Sequence, residues 1–269
     1  MKKINQLFIL LFLSILTVGL VGCSKQATKS TTKQETKTAK VTKSQRTTTK
    51  KSSVITMASK LKDSKKKQLV YAPFGDSLSV GLFANSKSQR FTTQFTNDIS
   101  KQTGKKVTEA GISQVGKMAS NLGLSQVNSI VAQDPDIITI EFGTNDAAGG
   151  ATSSALNNYE SSMNSIIKTL TTNTDAQIIL MTTWSNNGGI HATADKQFDK
   201  IVYQLGQAYN LPVADLSTIW EGHNDVTGPS GTAINDFSTW GPRDNFHPNQ
   251  LGHDQIAALL AKKLATPIK

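Results

Sequence analysis

Short apolar runs and amphipathic stretches alternate along the chain from about residue 68 to the end. Residues 69–74, 107–110, 137–142, 177–182 and 212–216 have the length and side-chain character of strands. The third is β-branched throughout its Ile137-Ile138-Thr139-Ile140 run, as a strand buried on both faces would be. Between the strands, the apolar spacing predicts helices over residues 88–101, 115–132, 153–170, 192–209 and 249–264. Strict alternation of strand and helix predicts an α/β fold: a flavodoxin-like, three-layer α/β/α arrangement with a five-stranded parallel sheet. In such sheets ligands bind outside the carboxyl ends of the strands, which is where chemistry is to be sought.

The pattern before residue 68 is different. Lys2 and Lys3 precede an almost unbroken apolar run over residues 7–21, too short for the roughly 20 residues that span a bilayer and right for an export signal over residues 1–22. The run ends in Leu20-Val21-Gly22-Cys23, which resembles the lipobox of bacterial lipoproteins. That resemblance implies a diacylglyceryl group on Cys23, cleavage just before it, and a protein held by lipid on the extracytoplasmic face of the cell membrane; an unmodified thiol beside a plain secretory cleavage site is the alternative. Cys23 is the only cysteine, so neither an intrachain disulfide nor a cysteine metal site is available. Residues 24–67 are dominated by Lys, Thr, Ser and Gln and hold too little apolar surface to offset ordering entropy. Residues 23–67 are therefore expected to be a lipidated, disordered tether ahead of a single domain over 68–269.

Charge changes the picture only when divided. The net charge of +10 suggests a nucleic-acid partner, but residues 68–269 carry 13 Lys and Arg against 17 Asp and Glu. All of the basic excess lies upstream, so no nucleic-acid partner is expected. The tether's lysines fit anionic wall polymers or lipid head groups, or simply keep it soluble and extended.

Four strand ends carry candidate chemistry. The first strand runs into Phe74-Gly75-Asp76-Ser77-Leu78, placing Ser77 at the sheet edge ahead of helix N-terminal amides. Gly111 follows the second strand, Gly143-Thr144-Asn145-Asp146 the third, and Asp244-Asn245-Phe246-His247-Pro248 precedes the last helix. Singly these are a helix cap, a turn glycine, a capping Asx and a loop histidine. Together, on one edge, they make a nucleophile, a base and oxyanion donors.

The blocks Gly-Asp-Ser-Leu, Gly-Thr-Asn-Asp and Asp-x-x-His-Pro, in this order, resemble those of the GDSL-type SGNH hydrolase superfamily of serine esterases and lipases. The resemblance implies a catalytic triad of Ser77, His247 and Asp244, and an oxyanion hole of the Ser77 amide, Gly111 and the Asn145 side chain. It implies hydrolysis of carboxylic esters through an acyl-enzyme, with no cofactor and no metal. The Gly-x-Ser-x-Gly elbow of α/β-hydrolases is absent from the sequence.

Outside these blocks, His253 reads as a helix-surface residue, while His191 and His223 either line the cleft or face solvent. Residues 217–243 form an unusually long polar loop carrying Trp220, Phe237 and Trp240, with Trp184 at the end of the fourth strand. These aromatics either contact substrate or anchor the loop. Without a long apolar trench, short acyl groups such as acetyl on carbohydrate or wall glycan are favoured. A lysophospholipase or thioesterase, and a catalytically silent glycan-binding lipoprotein, are the competing readings.

Overall fold

All five expected strands form, and every pairing is parallel. The computed structural model describes residues 54–268; the expected signal, Cys23 and the tether as far as residue 53 lie outside them. The strands are β1 (Gln68–Gly75), β2 (Lys106–Glu109), β3 (Ile112–Ser113), β4 (Ile137–Glu141), β5 (Gln177–Met181) and β6 (Val213–Ala214). They lie in the order β2-β1-β4-β5-β6, and β3 pairs with β1 just beyond β2. Thus β2 is the expected second strand, and β3 is a short further strand, not expected, beyond the break at Ala110 and Gly111.

Period-two alternation sends the strands' side chains to two cores. On one face, Tyr71, Ile179 and Met181 pack with helices α1 (Met57–Asp63), α3 (Phe91–Thr103) and α9 (Gln250–Ala265), through residues such as Phe95, Ile99 and Leu260. On the other, Phe74, Ile138, Ile140, Ile178 and Leu180 pack with α4 (Leu124–Val131), α6 (Ser153–Asn173) and α7 (Ala192–Ala208), through residues such as Ile166 and Phe198. The sheet is covered on both sides, which accounts for the continuous apolar runs of β4 and β5.

Two expectations need correction. Residues 54–67 are not part of a disordered tether: Met57 and Leu61, four apart on one face of α1, are buried against α3 and α9. Thr56 caps this helix in a reciprocal hydrogen-bond pair with Ser59 and bridges to Pro267, far along the chain. Two well-spaced apolar side chains were enough to order a segment whose composition is polar, because a groove was ready for them. Likewise, the helix expected from residue 115 starts only at Ala119, with a π turn (Ala119–Gly123) before α4. Gly116 at φ 74° is incompatible with helix, and frees residues 114–118 to approach the site.

Candidate active site

The carboxyl ends of β1 and β4 lie side by side where the strand order reverses, and the site is built there. After β1 the chain turns through Asp76, which caps the short helix α2 (Ser77–Val80) by accepting from the Leu78 N–H at 3.0 Å. Ser77 is therefore the first residue of α2, largely buried, with its hydroxyl at the sheet edge. After β4, Gly143 leads into α5 (Thr144–Ala147), which holds Asn145.

His247 Nε2 lies 2.9 Å from Ser77 Oγ, and His247 Nδ1 lies 2.7 Å from Asp244 Oδ2. The other Asp244 oxygen accepts from the backbone N–H groups of Phe246 and His247 at 2.9 and 2.8 Å, so the carboxylate fixes the turn that carries the imidazole. Burial pushes the Asp244 carboxyl up, but the His247 hydrogen bond and charge and the two N–H groups outweigh it and hold it below its ordinary value. Phe83 and Phe246 stand edge-on to the imidazole, with ring centroids at 5.5 and 5.2 Å, and wall it against rotation. Ser77, His247 and Asp244 are thus in one hydrogen-bonded line.

Gly111 is not with them. Its N–H donates to Gln133 Oε1 at 2.6 Å, and at φ 88° its α-carbon packs so closely on Pro73 that a β-carbon would overlap the Pro73 carbonyl. This glycine serves the break between β2 and β3, and the expectation that it is an oxyanion donor is corrected. Gly116, five residues on, lines a cavity of about 310 Å³ together with Ser77, Asn145 and His247, and a β-carbon there would meet open space. Gly116, unlike Gly111, lies in a segment that fails to form helix.

Beneath the nucleophile lie two fully buried carboxyl groups. Asp76 Oδ2 accepts from Asn145 Nδ2 at 2.7 Å, while Glu141 Oε2 accepts from the Asp76 N–H at 3.3 Å and from Ser79 Oγ at 3.2 Å. Burial raises both, and Glu141 is raised further because the Asp76 charge adds to its burial. Arg243, buried next to Asp244, donates to the Phe83 carbonyl at 2.9 Å and to Asn85 Oδ1 at 2.9 Å, tying the histidine turn to the segment after α2. Asp195 borders the cavity, and burial raises its carboxyl to about 7. Sequence motifs pointed to none of Glu141, Arg243 and Asp195; their roles come from burial, which residue type alone does not disclose.

Among the remaining residues, His191 lines the cavity, His223 is exposed, and His253 is fully buried, contrary to expectation. His253 stacks on Phe91 and has Nε2 3.2 Å from the Leu82 carbonyl, and burial lowers it to about 4, leaving it neutral. Trp184, Trp220 and Phe237 are buried anchors: Trp184 Nε1 donates to the Phe246 carbonyl at 2.7 Å and Trp220 Nε1 to the Thr183 carbonyl at 3.4 Å. Trp240 alone of these is exposed. Among the described residues, no group of three or more His, Cys, Asp and Glu could hold a metal ion, and no helix is long and apolar enough to cross a membrane.

Residues 74–255 match the GDSL-like lipase/acylhydrolase family, and the chain belongs to it. It is an ester-hydrolysing serine hydrolase with the SGNH fold. Similar solved structures include Axe2, an acetylxylan esterase from Geobacillus stearothermophilus, at 18% identity and a TM-score of 0.57, covering 74% of this chain and 94% of that one. A lipase/acylhydrolase from Enterococcus faecalis is similar at 22% identity and a TM-score of 0.57, covering 75% and 99%. An acetyl xylan esterase, AlAXEase, is similar at 18% identity and a TM-score of 0.55, covering 72% and 98%. No curated protein matches the chain in sequence.

Proposed function

We propose that the protein is a lipid-anchored, extracytoplasmic serine esterase that removes short acyl groups from carbohydrate through a Ser77-His247-Asp244 triad. The observation that carries the reading is the position of His247, bonded to Ser77 Oγ through one ring nitrogen and to Asp244 through the other. His247 takes the Ser77 proton as Oγ attacks the ester carbonyl, and returns it to the leaving alcohol as the tetrahedral intermediate collapses. Asp244 keeps Nδ1 protonated and stabilises the imidazolium. The Ser77 amide, the Gly116 amide and Asn145 Nδ2 are the oxyanion donors, each worth about 3 kcal/mol in systems of this kind. Water then cleaves the acyl-enzyme by the same steps.

The cavity next to Ser77, with Val115 and Ala148 on its acyl side, holds about 310 Å³, enough for acetyl with room to spare and short of a long-chain trench. The acetylxylan esterases of similar fold point the same way. The test is a chain-length series of 4-nitrophenyl esters with the wild type and Ser77→Ala. A preference for acetate or butyrate, abolished in Ser77→Ala, is expected; a preference for C8 or longer favours a lysophospholipase or thioesterase, and failure to label with a fluorophosphonate favours a silent binding protein. Anchoring at Cys23 rests on the lipobox, and Cys23→Ser is expected to release the protein from membranes and end palmitate incorporation.

A further inference from the structure

A second cavity, of about 450 Å³, opens beside the catalytic one. The same two stretches of chain border both: Asn186 and Asn187 line the second and His191 the first, while Asn245 lines the second and Phe246 and His247 the first. The second is lined by Asn186, Asn187, Asn224, Asn245, Asn249 and Asp225, with no Lys, no Arg and no large apolar side chain. Part of this concentration of amides holds the loops. Asn249 is spent internally, donating to the carbonyls of Asp225 and Thr227 and accepting from Gly252. Asn187 donates to Asn224 Oδ1 and accepts from the Gly222 N–H, and Asn245 Oδ1 accepts from the Ser230 N–H. Among the described residues that leaves the Nδ2 groups of Asn186, Asn224 and Asn245 as donors and the Asp225 carboxylate as an acceptor.

The chemistry of this lining selects its ligand. An acyl chain would cover these amides without pairing them, which is unfavourable. An anion would meet the Asp225 carboxylate and no Lys or Arg in the lining. A neutral ring with hydroxyls on several sides satisfies donors and acceptor at once, and the Pro229 ring offers its C–H face something apolar to lie on. The direction of the reaction fixes which half of the ester comes here. His247 hands its proton to the leaving oxygen, so the alcohol half must lie on the side of the histidine turn, where this cavity is, while the acyl half lies against Val115 and Ala148.

We propose that the asparagine-lined cavity next to His247 is the subsite for the alcohol half of the ester and that it takes a neutral sugar ring. The inference rests on the esterase reading above and adds the seat of the carbohydrate. It is tested with the full chain and the double variant Asn186→Ala/Asn224→Ala, by comparing kcat/KM for acetylated xylo-oligosaccharides with kcat/KM for 4-nitrophenyl acetate. The ratio of the two is expected to fall about tenfold or more, mainly through KM for the sugar; fluorophosphonate labelling of the double variant shows that it is folded. In parallel, deacetylated xylo-oligosaccharides are added to Ser77→Ala protein and followed by saturation-transfer NMR. Transfer to the sugar protons is expected, and its loss when the two asparagine substitutions are added.

A ratio within twofold of the wild type, or sugar transfer that survives the double substitution, overturns the subsite while leaving the esterase reading intact. A wild type that takes no fluorophosphonate and cleaves no ester overturns both, even if the cavity binds sugar.

Discussion

Asn145 donates one side-chain N–H to Asp76 Oδ2 at 2.7 Å and the other to the Lys117 carbonyl at 3.1 Å. Both donors are therefore engaged before substrate arrives. The Asp76 bond orients the amide; the Lys117 carbonyl, next to Gly116 in the cavity wall, occupies the donor that an oxyanion needs and is the partner a substrate can displace. Asn145→Ala is expected to lower kcat by about 10²–10³ with a smaller change in KM, because the bond strengthens only as the oxyanion forms. Steady-state kinetics on 4-nitrophenyl acetate checks this, and a change confined to KM would contradict it.

The two glycines after β2 are expected to separate cleanly. Gly111→Ala forces a β-carbon onto Pro73 at a left-handed φ and should cost several kcal/mol of stability, on the order of other overpacking substitutions, while the folded fraction keeps its turnover per labelled site. Gly116→Ala meets no neighbour and should cost only about 1 kcal/mol from its φ of 74°, yet lower kcat tenfold or more by shifting an oxyanion donor. Thermal melts and active-site titration on both variants decide it, and the opposite pairing of effects would restore Gly111 to the oxyanion hole.

Stability should fall as pH rises from about 4 to about 7. Burial raises the carboxyls of Asp146 and Asp199 to about 6 and that of Asp195 to about 7, from an ordinary value of 3.8. The folded state then binds more protons than the unfolded chain in that window, so the stabilisation is full below about pH 4 and lost as pH passes through the raised values. Asp244, held low, and His253, lowered from 6.5 to about 4, work the other way, their contributions present above their ordinary values and lost as pH falls, but the raised carboxyls outnumber them. Among the described residues neither Asp195 carboxylate oxygen has a hydrogen-bond partner, so Asp195→Asn should raise the melting temperature at pH 8 by a few degrees and flatten its dependence between pH 5 and 8. A lower melting temperature at pH 8 would show that the charged form is held favourably.

Leu61→Ala in α1 is expected to destabilise the fold by about 2–5 kcal/mol, as for other fully buried leucines, measured by urea denaturation. An effect under about 0.5 kcal/mol would return α1 to the tether.

The layered sheet was legible because its side-chain periodicity is enforced twice, once on each face: Ile178 and Leu180 serve one core, Ile179 and Met181 the other. Ser77, Asn145, Asp244 and His247 stood out because each follows a strand or precedes a helix, where polar residues do not merely fill surface. What stayed hidden depends on contacts distant in sequence. Leu61 finds its groove only once α3 and α9 are placed, and His253 is neutral because the fold buries it completely, with Phe91 stacked on its ring. Gly116 and Gly111 differ in what lies within reach of a β-carbon, a property of the folded backbone and not of the letter at the position.

The meeting of Thr56 with Pro267, reinforced by the Ile268 N–H bonded to the Ile55 carbonyl, has a practical side. Both ends of the folded unit emerge together where α9 finishes, at the amino edge of the sheet, whereas the nucleophile sits at the carboxyl edge. The unit carries its handle and its mouth at opposite poles. A bead, a fusion partner or a surface attached at either end grips the same pole, leaving the entrance above Ser77 clear for a polymer approaching from the other side.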